Sequence, residues 1–479
     1  MAAAVSSRPG ICSTESTLHG TFTRKLRLHG DDYRSHTLSK SHVEDYMSRS
    51  SKQKQRALLL NAPREQYTLQ TEHDIPILTH RDEILIKVLA IGLNPIDWKS
   101  AAYNFGIPAL PWINGRDLAG IVIQTSEGNS RLRVGDVVLV PSTDYRDIRK
   151  AAFQEYAVTT HFNAAIIPTK TSIHAAASVG VAYVAAAFAL GISFGLDFSK
   201  TQSGNCRGPN LVQVIKDVDS KDPHAIPADV RDECLSCANT SSRIKHGDWV
   251  AIWGASTTSG YIALQLAKLC GLQVICVADV ARHGPKLIQA GADLLVDRFD
   301  TNRAIQIIRG VTKGKLRFAI DTVDKGTATI LQNALSTSDD TNPQPSSSSS
   351  SVVSYPATPT SSSSADSEPQ PQTLPLKDQQ SSHLLCLSGT PKERIPGITY
   401  HTVPIKVFHS TAAVGESLMA WLEQLMINDA LVLPEVVHAA GGLEGINSAL
   451  QTLREGSELV SGKRMVVDLL ESDGNAVMV

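Results

Sequence analysis

Seven consecutive small residues, Gly254-Ala255-Ser256-Thr257-Thr258-Ser259-Gly260, stand between a short apolar run and an amphipathic helical pattern. The run is Trp249–Trp253, and Ile262, Leu264, Leu266, Ala267 and Leu269 carry the helical pattern. A buried strand, a tight small-residue turn and a helix N-terminus together form an anion site. The backbone can approach the ligand closely, and the free N–H groups and positive end of the helix hold it. A second apolar run, Leu272–Ala278, follows at βαβ distance and ends on Asp279, 25 positions after Gly254. An acid at that spacing meets a ribose hydroxyl, so these residues point to dinucleotide binding through the pyrophosphate. The plain alternative is a βαβ turn that holds no ligand.

The elements that must position this loop can be read on both sides of it. From Trp249 onward strands and helices alternate. Helix 260–270 leads to strand 272–278, helix 284–290, strand Leu294–Asp297, helix 302–309 and strand Arg317–Asp321. That alternation predicts a parallel sheet covered by helices. Before it, Arg56–Leu60, Glu83–Ile91, Ala119–Gln124 and Asp136–Val140 read as short strands separated by glycine-containing turns. They predict a small β-rich, barrel-like domain up to about residue 170. The chain closes with a helix near Leu443–Arg454 and a strand over Lys463–Leu470.

Two segments interrupt the plan. Ser199–Arg243 is a polar insert, and Ser336–Ser382 is a Ser/Pro-rich stretch too poor in apolar residues to order itself. A strand at His383–Leu387 resumes the pattern, so the second insert sits inside a domain. Residues 1–55 are expected to be a disordered tail; Glu15 is the one acid against four bases before residue 30, which leaves a mitochondrial presequence as the alternative.

At 479 residues the chain is long enough for two domains and accessory segments. With 45 basic and 47 acidic residues the formal charge is −2, so composition offers no basis for binding nucleic acid or a membrane surface. Seven scattered cysteines show no disulfide rhythm and suit a reducing, cytoplasmic setting. Cys234 and Cys237 form a lone C-x-x-C that reads as two free thiols in a loop. Ala175–Leu196 carries no charge over 22 residues, but its Ala, Gly and Ser content reads as a buried helix pair rather than a membrane span.

Taken in order, several blocks resemble the medium-chain dehydrogenase/reductase superfamily. They are GLNPIDWKS (92–100), PWINGRDLAGIV (111–122), RVGDVVLV (133–140), the small-residue loop, AGADLLVD (290–297), FAIDTV (318–323), GGLEGINSALQTLREG (441–456) and GKRMVV (462–467). Within that superfamily the chain is similar to the zinc-independent quinone/enoyl reductase branch, and there to fungal enoyl-reductase-like proteins of polyketide and toxin pathways. The resemblance implies an α/β protein with a GroES-like β-rich catalytic domain and a Rossmann domain of doubly wound parallel sheet. It divides the chain into a catalytic part at 56–185, a nucleotide-binding part at 186–400 and a return to the catalytic domain at 401–479.

It also implies the chemistry. Zinc alcohol dehydrogenases place Cys and His where this chain has Asn94 and Lys99, and Gly-His-Glu where it has Gly115-Arg116-Asp117. Their third ligand falls near Val181 or Ala182, so no catalytic zinc is expected. A reductase without a Lewis acid must stabilise charge on the acceptor's carbonyl by other means. Lys99 is the first candidate for this role, as donor or electrostatic stabiliser. Asn94 and Asp97 would line the nicotinamide end, and Tyr183 and Tyr103 are weaker candidates for proton delivery. Alternatively, Lys99 is a solvated surface lysine, Asp97 orders its loop, and Arg116–Asp117 is a structural ion pair. The family usually has a Thr in 181–190; this chain has Ala185.

Asp279 favours NADH, whereas Arg282 and His283, where NADPH-specific relatives carry a basic residue, favour NADPH; the resemblance tips the choice to NADPH. Expected partners are a small-molecule or acyl-thioester substrate, the latter carried by a polyketide synthase, and the protein is a monomer or homodimer. Two other functions stay open: carbonyl reduction of an aldehyde or ketone, and nucleotide binding without catalysis.

Overall fold

The longest early strand, Glu83–Gly92, reads as alternating in sequence, yet all ten of its residues are buried. In the computed structural model, residues 54–129, 131–201, 204–236, 243–336 and 381–469 are described, with the backbone of two short strands at Lys25–Leu26 and His36–Thr37. Strands β1 (Lys54–Leu60) and β2 (Thr68–Asp74) precede β3 (Glu83–Gly92), which leads into helix α1 (Pro95–Tyr103). Then come β4 (Trp112–Ile113), β5 (Asp117–Thr125), β6 (Val137–Pro141), β7 (Tyr156–Thr160) and β8 (Ala165–Ile166).

Both faces of β3 are covered. Leu85 and Leu89 join the core formed with the following helices, while Ile84, Ile86, Val88 and Ile91 point into the interior of the β-rich domain. A strand with two apolar faces reads as continuous hydrophobic sequence rather than as a half-exposed one.

Helices α2 (Ile173–Ala177) and α3 (Gly180–Phe188) follow, and a π-helical turn extends α3 over Ala189–Ser193. Their small residues serve close packing. A Cβ on Gly92 would lie 2.1 Å from the Ala177 carbonyl oxygen, and one on Gly180 would lie 2.6 Å from the Asp117 carboxylate. No helix among the described residues is long and apolar enough to cross a membrane.

The polar segment expected to interrupt the fold is itself folded. It holds α4 (Leu211–Lys221) and α5 (Ala228–Ser236), where Leu211, Ile215 and Cys234 join the main core. Cys234 is therefore a buried helical residue and not a loop thiol; burial pushes its thiol up to about 12. Its sequence partner Cys237 lies outside the described residues, as do most of the N-terminal 53 residues and 337–380, on which the two disordered segments were expected.

The second sheet is built from β9 (Trp249–Trp253), α6 (Thr258–Leu269), β10 (Gln273–Ala278), α7 (Val280–Gln289), β11 (Leu294–Asp297), α8 (Thr301–Thr312), β12 (Phe318–Asp321), α9 (Lys325–Leu331), β13 (Ser382–Cys386) and β14 (Ile398–His401). Its order is β11-β10-β9-β12-β13-β14 with every pair parallel, a doubly wound sheet as expected.

After α10 (Lys406–Ser410) and α11 (Ala412–Ile427), strands β15 (Val436–Ala439) and β16 (Arg464–Asp468) rejoin the first sheet, flanking helix α12 (Gly442–Glu455). There β16 pairs antiparallel with β3, giving the order β8-β6-β5-β3-β16-β15 with β7 also on β3. The C-terminus thus closes the domain that the N-terminal half begins.

Candidate active site

The small-residue loop has the geometry of an anion cradle. Gly254 adopts φ +80, and its N–H and that of Ala255 both bond the Val277 carbonyl, at 2.9 and 3.2 Å. Thr257 caps α6, its hydroxyl accepting from Gly260 N–H at 3.1 Å, which starts the helix at Thr258, two residues before the expected position. The Thr322 hydroxyl, from the end of β12, meets the Thr257 hydroxyl at 2.9 Å and reaches the Trp253 and Gly254 carbonyls at 3.0 Å.

A Cβ on Gly260 would stand 2.4 Å from the Gly254 carbonyl oxygen, so only glycine lets the helix seat this close to the strand. Among the described residues, the N–H groups of Ser256, Thr258 and Ser259 have no protein acceptor. A helix N-terminus with unspent donors beside a strand end fits a pyrophosphate.

The expected ribose and phosphate residues are partly engaged elsewhere. Asp279 caps α7, its carboxylate accepting from Arg282 N–H at 3.2 Å. Arg282 reaches Glu458 at 2.6 Å in an exposed pair of little energetic weight. The His283 ring shares a 3.0 Å hydrogen bond with Ser461, and Gly462 packs against it. Burial lowers its pKa, so the ring stays neutral and does not offer the charge expected for holding a phosphate. Lys286 sits beside these groups, 4.9 Å over the Tyr261 ring.

The expected catalytic residues separate into distinct environments. Asn94 donates to Asp117 at 2.9 Å and accepts from Arg464 at 2.7 Å, so it knits β16 to β5. Asp97 accepts from Asn94 N–H at 2.7 Å and thereby ties off the start of α1; its other oxygen, buried, has no partner. Burial pushes its carboxyl up to about 7. Lys99 is half-buried, its ammonium 5.8 Å from the Trp98 ring.

Tyr183 does not deliver protons. It is 0 % exposed, and its hydroxyl donates to the Leu418 carbonyl at 3.1 Å deep in the core. Its helical spacing beside Val184 and Ala187 is that of a core residue. Tyr103 is an exposed residue at the end of α1.

Several residues of this region carried no sequence signal. Asp117 pairs with Arg464 at 3.2 Å and accepts from Val181 N–H at 2.7 Å, so the expected Arg116–Asp117 ion pair is replaced by one from the far end of the chain. Arg464 lies 347 residues from Asp117, a separation no local pattern bridges. Freed from Asp117, the Arg116 guanidinium stacks 3.8 Å over the Tyr145 ring.

The loop carrying Tyr145 reaches the helix that follows the second sheet: the Thr143 hydroxyl meets His409 of α10 at 2.9 Å. Helix α10 follows β14 off the carboxyl edge of the parallel sheet, the edge that also carries the Gly254–Gly260 loop. Ligands of open α/β sheets bind at that edge.

The comparisons agree with this architecture. The family "Alcohol dehydrogenase GroES-like domain" matches residues 80–169. The chain is 30 % identical over 263 residues to trans-enoyl reductase BOA5 of Botryotinia fuckeliana, covering 53 % of this chain and 64 % of that one. It is 26 % identical over 400 residues to trans-enoyl reductase resD of Aspergillus sclerotiorum, covering 82 % and 94 %. A quinone oxidoreductase of Sus scrofa is 26 % identical over 245 residues, covering 51 % and 58 %. The chain thus spans less than two thirds of the length of the first and third of these relatives.

Among solved structures, an alcohol dehydrogenase superfamily protein from Novosphingobium aromaticivorans aligns with TM-score 0.59 at 15 % identity, over 87 % of this chain and 99 % of that one. A mycobacterial protein complexed with NADPH, Rv1454c, aligns with TM-score 0.56 at 16 % identity, over 86 % and 99 %. At such identities these two speak for the fold alone. The GroES-like domain match, the parallel Rossmann sheet and the small-residue loop are together similar to the architecture of the medium-chain dehydrogenases/reductases. The sequence relatives it resembles are named as trans-enoyl reductases and a quinone oxidoreductase.

Proposed function

We propose that this protein is an NADPH-dependent, zinc-independent reductase of an activated carbon–carbon double bond, such as that of an enoyl thioester or a quinone-like acceptor. The observation that carries the reading is the cradle. Free N–H groups at Ser256, Thr258 and Ser259 and the close Gly254–Gly260 contact sit at the carboxyl edge of the parallel sheet. The names of its relatives, trans-enoyl reductase and quinone oxidoreductase, support this substrate class, and the family resemblance favours NADPH as the cofactor.

Reduced nicotinamide supplies a hydride when bound. This chain's residues do the rest: the loop holds the pyrophosphate, and Thr322 braces it through Thr257. Because Asp279 is turned to its own helix, the local argument for NADH weakens, and Arg282 has only an exposed glutamate to leave for a 2′-phosphate. Asn94 is spent on Asp117 and Arg464, and the other positions of a catalytic zinc are held by Lys99 and Arg116, both cations, and by Val181 or Ala182, both aliphatic, a set that disfavours the metal. The acyl substrate would arrive on a carrier of a polyketide synthase, as the family resemblance implies.

The test is fluorescence titration with NADPH and NADH, followed by turnover of crotonyl-N-acetylcysteamine. NADPH binding at least tenfold tighter than NADH, with acceptor-dependent oxidation, is expected. Absence of binding by either nucleotide would remove the reading at its base.

A further inference from the structure

Arginine is rarely buried without a carboxylate, because an unpaired guanidinium loses its hydration and recovers nothing. Arg116 is 2 % exposed, and among the described residues no acceptor bonds its guanidinium and no carboxylate lies within 4 Å. Its one charge-specific contact is the Tyr145 ring beneath it. The guanidinium nitrogens are also not sealed off: none is among the buried side-chain atoms left without a partner. A planar cation held by an aromatic face, with no acceptor at its edge, is poised for an oxygen ligand.

Unsatisfied acceptors lie in the same cluster. Asn114, fully buried and two residues before Arg116, has a side-chain oxygen with no partner, and so does Asp97. The Tyr67 hydroxyl joins the two, accepting from Asn114 Nδ2 and donating to the Asp97 carbonyl, each at 2.7 Å. The charge of Arg116 reaches both Asp97 and Tyr67. A donor without acceptors and acceptors without donors therefore stand close together and do not bond one another. The loop 142–145, which carries Tyr145, meets helix α10, the helix that follows the parallel sheet, through Thr143 and His409.

We propose that Arg116, braced on Tyr145, is the subsite that receives the acceptor's carbonyl or carboxylate oxygen. This deepens the reductase reading and rests on it for the chemistry. In that reaction the β-carbon of the enoyl group takes the hydride, and the electron pair of the C=C bond moves toward the carbonyl. The enolate oxygen's charge falls on the Arg116 N–H groups. The α-carbon then takes one proton from solvent, and the dinucleotide leaves oxidised. A donor aimed at a developing oxyanion in a dry site acts where it is worth most.

Crotonate, an enoyl carboxylate, is the binding probe, measured by calorimetry on wild type, R116Q and R116K, with crotonyl-N-acetylcysteamine for turnover. NADPH affinity is measured alongside, because Arg116 is no part of the cradle. R116Q is expected to keep the wild-type NADPH affinity, bind crotonate at least tenfold more weakly and lose on the order of 10²–10³ in kcat with a smaller change in KM. R116K recovers part of the crotonate affinity but not the full rate, since it lacks the planar fork. R116M is expected to melt no lower than wild type, because it removes an unpaired buried charge; a structural arginine would melt far lower.

Equal crotonate binding in wild type and R116Q overturns the proposal, as does R116Q turnover within threefold of wild type. If the wild type reduces no acceptor, the reductase reading fails by itself. Crotonate binding lost in R116Q still upholds the subsite in that case.

Discussion

Replacing Asp97 by asparagine should remove a pH dependence from the protein's stability. The Asp97 carboxyl is 1 % exposed; one oxygen accepts from Asn94 N–H at 2.7 Å, the other has no partner, and burial pushes the group up to about 7 from 3.8. Between those values the folded protein holds a proton that the unfolded chain has released. Stability therefore falls as pH rises from about 4 to about 7 and levels off above. Some three pH units at about 1.36 kcal/mol each make a ceiling of about 4 kcal/mol.

An asparagine there still accepts from Asn94 N–H through its amide oxygen, but its NH₂ group stands where an unpartnered oxygen stood, at a cost of roughly 1–3 kcal/mol. D97N should thus be less stable than wild type at pH 5 and equal or more stable at pH 8.5. Urea unfolding midpoints at half-unit steps between pH 5 and 9 give the comparison, and groups common to both proteins cancel in the difference. Parallel curves across that range would show that Asp97 is ionised throughout and would refute the reasoning.

Three further outcomes are expected. G260A places a Cβ 2.4 Å from the Gly254 carbonyl and pushes α6 off β9, so NADPH affinity by fluorescence titration should fall at least tenfold, with about 1–3 kcal/mol of stability lost to overpacking. R464M leaves the buried Asp117 carboxylate without its cation and should cost roughly 3–5 kcal/mol in denaturant unfolding, whereas the double variant D117N/R464M regains most of it. Burial, with His401 beside it, drives His383 down to about 3, so the unfolded chain binds a proton between about pH 3 and 6.5 that the fold excludes. Stability is then lost as pH falls below about 6.5, and H383Q should flatten that acid limb; an unchanged limb would assign it to other groups.

The parts of this molecule that could be read directly are those governed by local pattern. The Gly254–Gly260 loop, its flanking strand and helix, and the alternation through Asp321 follow from residues adjacent in sequence, and the structure differs at their ends by a few residues. The polar insert misled because amphipathic α4 exposes most of its surface, and only three of its eleven residues are buried. Tyr183 misled for the opposite reason: a tyrosine near a cleft and a tyrosine in a core look alike until Leu418 is seen to accept its hydroxyl.

The pairing of charges lay beyond any local reading. Arg116 and Asp117 are neighbours in sequence, yet Arg116 lies just before β5 and Asp117 is the first residue of that strand, and each finds its own partner. Asp117 meets Arg464 because β16 adds to the sheet beside β3, which β5 flanks on the other side, and this leaves Arg116 to Tyr145. By itself, the order of residues determined the two kinds of sheet and the small-residue loop, which rest on periodicity and on spacing within one βαβ unit, and the family likeness, which rests on blocks recurring in order from 92 to 467. Which buried charges are satisfied and which stay open was decided only by the tertiary structure. Burial makes an unpaired charge costly, and the partner that relieves it is brought in by chain closure from hundreds of residues away.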